Sequence, residues 1–434
     1  MLISIKIRIT VLLLFLFSSG LLMAQKEEYV KDSHLRYRDH LYKSNIKTAL
    51  LHPEGNPVGF PVIKLDGSAK LHLSFDDLDG GVKDYTYTII HCDSDWNPSD
   101  LNDMEYIDGF NPNLIEQYDY SFNTLVDFTH YQLLLPNNDM KMTKSGNYLL
   151  KVYEDDDEED LVLTKRFLIF DNQVSVEADV LKANAMLKSR THQEIDFVVN
   201  YSPSIIRNPR AELKTYVMQN GRWDNAIMDV KPLFIREGKL IYDYQDQIVF
   251  PGGKEFIVAD LRSTRYTAEH IAVLKNDEDR YYMAVDPDRE RSGRAYSYRG
   301  EANGKFVIEN YHEDDFKLES DYIRTTFTLV QQFPDDKGDF YLFGGLTDWE
   351  IRNEYKMRYD KELGAYQCTV DLKQGYYNYA YAYVKEGTAA ADMTRVDGSW
   401  YETENDYYIL VYYRPFAGRY DQLIGIHTVN SRNN

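Results

Sequence analysis

Short runs in which apolar and polar residues alternate follow one another along most of this 434-residue chain. Thr129–Leu135, Leu161–Phe170 and Ala365–Leu372 are typical, since each has the length of a strand and contains β-branched or aromatic residues. Aromatic residues make up 14% of the chain, and their abundance also favours strands. Helical periodicity over three turns is hard to find. The pattern therefore predicts an all-β chain of tandem β-sandwich domains.

Two breaks in the alternation divide the chain into segments of similar length. The first break lies near Asp171–Gln173, where one strand ends and a new alternating run, Val174–Val180, begins. The second is Asp286–Arg294 (DPDRERSGR), which is polar, highly charged and interrupted by Pro and Gly. We expect three β-domains, at residues 25–172, 173–290 and 291–434.

The first 24 residues have the features of a secretory signal peptide. Lys6 and Arg8 precede an apolar run that begins at Val11–Phe17, and Leu22–Ala24 forms a small-residue exit. No cysteine stands at the exit, so a lipoprotein is not expected. A single transmembrane anchor is the alternative, which the short and interrupted apolar run disfavours. We expect residues 1–24 to be removed and the remainder to be exported.

The charge balance excludes two classes of partner. The chain has 49 Lys and Arg against 70 Asp and Glu, a formal net charge of −21, which argues against nucleic acids and anionic membrane surfaces. Its two cysteines, Cys92 and Cys368, are too few for a disulfide scaffold or a cysteine-based zinc site. We expect two buried, reduced thiols; an interdomain disulfide is the alternative.

No catalytic or metal-binding motif is found in the sequence. It lacks GxSxG, a Gly-rich phosphate loop and HExxH. His72, His91 and His130 lie in or at the ends of predicted strands, where histidines are usually packing residues. The acidic run Asp155–Asp160 lacks the Gly and final Glu of an EF-hand loop, so we expect a solvated hairpin turn. We therefore predict no enzyme, no catalytic residue, no cofactor and no metal site.

The most unusual stretch is Asp84–Met140, which has 11 acidic residues and no Lys or Arg. It is either a solvated acidic surface, an acidic docking face or a Ca²⁺-stabilised loop. Within it, Asp93–Asn113 is too long for a hairpin turn, and its aromatic residues make disorder unfavourable. We expect an ordered excursion that serves as a partner interface; the alternative is that its apolar residues only close the sandwich. The candidate partner-binding residues are Asp93, Asp95, Trp96, Tyr106, Asp108 and Phe110.

Several motifs in the first segment occur together and in a fixed order. They are Leu73–Leu78 (LSFDDL), Tyr87–Trp96 (YTIIHCDSDW), Glu105–Phe110 (EYIDGF), Ser121–Thr124 (SFNT), Thr129–Asn137 (THYQLLLPN) and Ser145–Tyr153 (SGNYLLKVY). Over about residues 28–172 this set closely resembles the N-terminal domain of the type IX secretion system plug protein family. The resemblance continues more loosely through Gly304–Ile308 and Gly375–Tyr379.

The resemblance implies a function that composition alone does not. Members of the family are exported, Tyr-rich β-proteins thought to close the periplasmic mouth of the outer-membrane translocon barrel when no substrate passes. It therefore implies a non-catalytic periplasmic subunit associated with the outer membrane. The implied partners are the translocon barrel protein and associated secretion-system components, with no nucleic acid and no direct membrane span.

A weaker resemblance concerns the last segment. Gly338–Trp349 (GDFYLFGGLTDW) and Gly375–Tyr381 (GYYNYAY) are similar to early-set sandwich modules found beside starch- and glycogen-active enzymes. The resemblance favours immunoglobulin-like or early-set sandwiches as the fold. It leaves one alternative function, a periplasmic glycan-binding protein with Trp349 as a sugar platform, although packing is the favoured role of that residue.

Overall fold

The computed structural model describes residues 34–432, and strands dominate it. Strands account for 46% and helices for 5% of the structure, which confirms the all-β prediction. Its sheets are mostly antiparallel. No helix among the described residues is long and apolar enough to cross a membrane. The predicted signal peptide, residues 1–24, lies outside the described residues.

The first hydrophobic core lies between two sheets in residues 40–170. Its elements are β1 (His40–Leu41), β2 (Ile46–Pro53), β3 (Val62–Lys64), β4 (Leu71–Asp77), β5 (Tyr85–Cys92), α1 (Asp103–Tyr106), β6 (Ile107–Gly109), β7 (Asn113–Leu114), β8 (Gln117–Tyr120), β9 (Thr129–Leu135), β10 (Met140–Met142), β11 (Gly146–Glu154) and β12 (Leu161–Phe170). One sheet has the order β1-β12-β11-β5-β7, with β3 parallel to β12. The other has the order β2-β4-β9-β8, and β6 pairs with β10 in a separate ribbon.

Tyrosines fill much of this core, and the hydroxyl groups of Tyr85 and Tyr131 form hydrogen bonds at its edge. Phe75 stacks on Tyr131 with 5.2 Å between ring centroids, and Tyr85 meets both rings edge-on. The Tyr85 hydroxyl donates to the buried carboxylate of Asp77 at 2.9 Å. The Tyr131 hydroxyl accepts a hydrogen bond from the backbone N–H of Lys83 at 2.8 Å. Tyrosine suits such a core because its ring supplies apolar area while its hydroxyl reaches a polar edge.

The remaining elements form two further cores. They are β13 (Ser175–Lys182), β14 (His192–Asn200), α2 (Pro209–Glu212), β15 (Leu213–Gln219), β16 (Ile227–Val230), β17 (Phe234–Arg236), β18 (Lys239–Tyr242), β19 (Val249–Pro251), β20 (Ile257–Asp260), β21 (Ile271–Asn276), β22 (Tyr281–Val285), β23 (Asp288–Arg289), β24 (Phe306–Ile308), β25 (Tyr322–Val330), β26 (Gly338–Phe343), β27 (Arg358–Asp360), β28 (Ala365–Lys373), β29 (Gly375–Lys385), α3 (Thr394–Asp397), β30 (Asp406–Tyr413) and β31 (Gln422–Asn430). Two 3₁₀ turns lie at Gly345–Thr347 and Asn353–Tyr355.

The middle core contains strands from two distant parts of the chain. One sheet has the order β13-β14-β18-β17, with β19 beside β14. The other has the order β16-β15-β30-β31, so the last two strands return to pair with Leu213–Gln219. The buried residues Tyr407, Ile409, Val411 and Ile424 belong to the same cluster as Ile195 and Val217.

The third core is formed by the strands that lie between these two parts. Its sheets are β20-β29-β24, with β26 also on β29, and β21-β22-β25-β28-β27, with β23 on β25. The cores therefore do not follow the three expected segments. Strands β20–β22 precede residue 290 but belong to the third core, and β30 and β31 follow residue 291 but belong to the middle core. The physical reason is that strand partners lie far apart in sequence, and local alternation carries no information about which strand pairs with which.

A buried ionic cluster joins the first core to the third. Asp76 of β4 accepts hydrogen bonds from His130 Nδ1 at 2.5 Å, and from the Tyr322 hydroxyl and Lys373 Nζ at 2.7 Å each. The Lys373 side chain is only 1% exposed, and its Nζ also donates to the carbonyl of Lys317. The ammonium lies 4.0 Å from the centre of the Phe128 ring. These contacts fix the outer face of β4 and β9 against the third core.

Three smaller sequence predictions also have outcomes in the structure. Cys92 and Cys368 are both buried and free, as predicted. Asp155–Asp160 is an exposed turn between β11 and β12, also as predicted. His91 is buried, and its Nδ1 lies 2.8 Å from the Ser99 hydroxyl, so it is a packing residue of β5.

Candidate functional site

The excursion that begins at Asp93 is ordered throughout. A tight turn closes at Trp96, whose N–H donates to the Asp93 carbonyl at 2.9 Å. The short helix α1 follows, and its first turn is capped because the Asn102 N–H donates to the Glu105 carboxylate at 2.9 Å. Next, β6 pairs with β10, and β7 and β8 then join opposite sheets of the first core.

The start of the excursion binds the middle core. Asp421, which is fully buried, accepts hydrogen bonds from the Ser94 N–H at 3.0 Å and the Ser94 hydroxyl at 2.7 Å. Lys214 Nζ and Arg414 Nε donate to the same carboxylate at 3.0 and 2.8 Å. Arg414 also forms an ion pair with Asp93 at 2.6 Å. Asp93 is therefore part of an internal contact between two cores.

Trp96 belongs to the same internal contact. The side chain is 5% exposed, and the Arg166 guanidinium lies over its ring at 4.5 Å from the centroid. Trp223 of the middle core meets Trp96 edge-on, with 5.0 Å between centroids. Burial is the first cause that lowers the pKa of Arg166, to about 10. The indole thus packs within the molecule and is not presented to a partner.

The remaining candidates divide between the core and the surface. Tyr106 is buried, and its hydroxyl donates to the Ile89 carbonyl at 3.1 Å and lies 2.5 Å from Asp103. Asp95 and Asp108 are exposed. Phe110 is 72% exposed, although its N–H is tied to the Asp139 carbonyl at 2.8 Å. The structure therefore places Asp95, Asp108 and Phe110 where a partner could reach them.

Phe110 is one of several exposed apolar side chains on this part of the first core. Among the large apolar residues of the first core that are exposed in the described structure, all but Val82 lie between residues 104 and 125. We call this set the 104–125 surface: Met104, Phe110, Leu114, Tyr118, Tyr120, Phe122 and Leu125. Large exposed apolar areas usually mark interaction sites, and these residues are the candidates for one on the first core.

The backbone under the 104–125 surface is a free sheet edge. Strand β8 is the last strand of β2-β4-β9-β8, and all four of its residues are exposed. Tyr118 and Tyr120 lie on the same face of this strand, with 6.1 Å between ring centroids. An edge strand with unpaired backbone groups can accept a further strand from a partner.

Sequence reasoning missed Tyr118, Tyr120 and Phe122. In QYDY the two tyrosines occupy alternate positions, which is also the pattern of a strand with a buried face. The signal that could have found them is the absence of Lys and Arg from Asp84–Met140, which includes all of the 104–125 surface. Among residues 34–432, no group of three or more His, Cys, Asp and Glu side chains is placed to hold a metal ion.

Trp349 packs among residues of the middle and third cores. Its ring meets Phe256 and Phe343 edge-on, with 5.7 and 5.6 Å between centroids. The Arg222 guanidinium lies over the ring, 4.6 Å from the centroid. A sugar ring that stacked on this face would have to displace Arg222.

The Asp421 contact leads to a prediction about acid stability. Burial alone raises the pKa of Asp421, but the hydrogen bonds from Ser94 and Lys214 outweigh it and hold the pKa below its ordinary value. A carboxylate with a lowered pKa in the folded state stabilises the fold above its unfolded pKa of about 4 and loses this contribution as pH falls through the folded value. We expect Asp421→Asn to lower the free energy of unfolding at pH 7 by about 1–3 kcal/mol.

Urea unfolding between pH 2 and pH 7 measures this effect. The difference between the native protein and Asp421→Asn should shrink as pH falls below about 4. Asp95→Asn is the matched control, because this aspartate follows Ser94 in the turn that Asp421 binds and is exposed. A difference that stays constant over the whole pH range would contradict the assignment.

The fold is that of an all-β protein of packed sandwiches, and the first core exposes aromatic side chains of the 104–125 surface beside acidic residues. Residues 46–171 match the family model described as the type 9 secretion system plug protein 1st domain. The chain thus contains a type IX secretion system plug protein domain, which indicates a component associated with type IX secretion. The domain match indicates secretion-system partners and a periplasmic or envelope-associated location.

The comparison with solved structures extends the likeness beyond the first core. A hypothetical protein from Parabacteroides merdae ATCC 43184, solved by crystallography at 2.30 Å resolution, has a TM-score of 0.87 and 32% sequence identity. The match covers 92% of this chain and 100% of that one. Pseudomonas fluorescens alkylpurine DNA glycosylase AlkC, bound to DNA containing an abasic site analog, has a TM-score of 0.16 and 11% identity over 29% of this chain and 30% of its own. At that TM-score the two folds are not alike. No curated protein matches the chain.

Proposed function

We propose that this protein closes the periplasmic opening of the outer-membrane translocon pore of type IX secretion when no substrate is present, and that it does so without catalysis. The observation that carries the proposal is the 104–125 surface, which lies within the residues matched by the family model. Its apolar side chains and free sheet edge supply contact area and backbone hydrogen-bonding groups, and its acidic neighbours favour a partner surface with basic residues.

A protein that closes a pore by obstructing it must be rigid. Buried polar contacts hold the cores together: the Asp76–Lys373 ion pair joins the first core to the third, and Asp421 joins the first core to the middle one. Breaking either contact leaves a buried charge without its partner, so relative movement of the cores is unfavourable. The plug would therefore enter and leave the opening as one rigid piece.

Opening requires that the contact with the barrel be reversible. A surface of limited size fits this requirement, since interfaces at the lower end of the standard range bind transiently. A substrate in transit, or another secretion component, would compete for the same contact. The proposed location is the periplasmic side of the outer membrane, reached through a cleaved signal peptide without lipid attachment.

Deletion of the chromosomal copy tests the sealing role. We expect the outer membrane to become permeable to a hydrophilic antibiotic too large for ordinary porins, because the translocon pore is then left open. Removing the translocon barrel as well should restore the barrier, which distinguishes leakage through the pore from general envelope damage. Complementation with the native chain is the positive control. Permeability that is unchanged in the single deletion, or that persists without the barrel, would contradict the proposal.

A further inference from the structure

A cavity of about 450 Å³ lies between the first and third cores. Its floor is the outward face of the second sheet of the first core, where Leu50, Ser74 and Gln132 stand in one row across β2, β4 and β9. The opposite wall is formed by Val307, Ile308, Phe316, Lys317 and Lys373. The volume lies in the range typical of small-molecule sites, about 300–1,000 Å³.

A buried histidine in this cavity lacks a hydrogen-bond partner on one nitrogen. His130 is 5% exposed and lines the cavity. Its Nδ1 is held by Asp76 at 2.5 Å, whereas its Nε2 is buried and makes no hydrogen bond. Buried polar atoms nearly always have a partner, and a group that enters the cavity, whether water or ligand, can supply one for this nitrogen. An imidazole nitrogen in this position can donate a hydrogen bond to an acceptor group of a ligand.

The cavity is basic although the protein as a whole is acidic. Lys317 and Lys373 line it, although the charge of Lys373 is balanced by Asp76, and Glu54, which is exposed, is the one acidic residue among the described lining side chains. Lys317 Nζ donates to the Gln132 amide oxygen at 3.2 Å and has no ion-pair partner in residues 34–432. Burial is the main cause that lowers the pKa of His72 to about 4, and the nearby charges of His52 and Lys317 lower it further.

The other walls of the cavity are apolar. Leu50, Leu134, Val307, Ile308 and Phe316 contribute their side chains. A ligand that suits both features has one anionic group and an apolar body, because the anion can bind to the basic side chains while the body packs against the aliphatic ones.

We propose that this cavity binds a small organic carboxylate with an apolar body, its carboxylate held by Lys317 Nζ and His130 Nε2. The body lies against Leu134, Ile308 and Phe316. The cavity reaches β8 at Gln117, under the 104–125 surface, but binding of a small carboxylate is measured without the translocon and is therefore tested separately from pore closure.

Isothermal titration calorimetry with two probes tests this assignment. Octanoate has the proposed charge and apolar body, and octanamide has the same body without the charge. We expect octanoate to bind the native protein about tenfold more tightly or better, since hydrogen bonds to a charged group exceed neutral ones by that margin. Lys317→Gln should weaken octanoate binding about threefold, the effect of removing one exposed charge.

Two further variants make the result specific. Lys361→Gln is the matched control, an exposed lysine in the same part of the chain that does not line the cavity, and it should bind octanoate like the native protein. His130→Gln should weaken octanoate binding about tenfold. If His130→Gln does not fold, the octanoate affinities of Lys317→Gln and Lys361→Gln still test the proposal. Equal affinity for the two probes, equal affinity of Lys317→Gln and the native protein, or no binding of octanoate up to its solubility limit would each overturn the proposal.

Discussion

Replacement of Asp76 by alanine is expected to lower the free energy of unfolding by about 3–5 kcal/mol, because it leaves a buried ammonium without its counter-charge. Asp76 is fully buried and accepts hydrogen bonds from Lys373, His130 and Tyr322. Burial raises the pKa of Asp76, but the charge of Lys373 and the hydrogen bond from His130 outweigh it and lower the pKa below its ordinary value. The carboxylate is therefore ionised in the folded protein, and its loss leaves the Lys373 ammonium without a counter-charge.

The urea midpoint of each variant measures this prediction. Asp79→Ala is the control, since that aspartate pairs with Lys83 at an exposed position and should cost less than about 1 kcal/mol. The double variant Asp76→Leu, Lys373→Met should recover much of the stability, because it removes both charges and keeps the volume filled. If Asp76→Ala unfolds at the same urea concentration as Asp79→Ala, the ion pair does not hold the first and third cores together.

If this protein docks on the translocon as proposed, substituting serine for both Phe110 and Tyr120 is expected to weaken that association by about 30-fold or more. The reason is that exposed aromatic residues at an interface are typical hot spots, which cost about 2 kcal/mol or more when they are removed. Both side chains are largely exposed in the free protein, so the free energy of unfolding should change by about 0.5 kcal/mol or less. Quantitative co-purification with the outer-membrane barrel, beside a thermal melt of each variant, measures the two effects separately.

The chain offers a matched control for this experiment. Phe416 is 96% exposed, in a turn between β30 and β31, and lies outside the 104–125 surface. Phe416→Ser should leave both the melting temperature and the association unchanged. If the Phe110 and Tyr120 variant still co-purifies like the native chain, or if it loses the barrel only because it has unfolded, the docking surface lies elsewhere.

The sequence predicts strands well where the alternation is unbroken. Thr129–Leu135 and Leu161–Phe170 have the same bounds in the prediction and in the structure. The prediction misses Ile46–Pro53, whose pairing with β4 shifts register between Lys47 and Leu50, so its residues do not alternate between inside and outside. It also misses Gln422–Asn430, where a register shift in the pairing with β30 and a glycine interrupt the pattern.

The candidate site shows the same limit at the level of single side chains. Trp96 and Phe110 occur in one stretch and are equally apolar, so the sequence does not distinguish them. In the structure Trp96 is buried because Arg166 and Trp223, which are distant in sequence, cover its ring. Nothing covers Phe110 in the described structure to a comparable extent. Trp96 is buried because of how the first and middle cores meet, and that contact cannot be predicted from the local composition.

The return of β30 and β31 to the middle core sets an order of events during synthesis. Two of the four strands in one of its sheets are made after every strand of the third core. As the chain emerges from its N-terminus onward, the third core can close while the middle one still exposes Val217 and Ile195 to water. The middle core is thus the last of the three that can be completed, and a chain truncated before residue 406 lacks two of the strands that cover it.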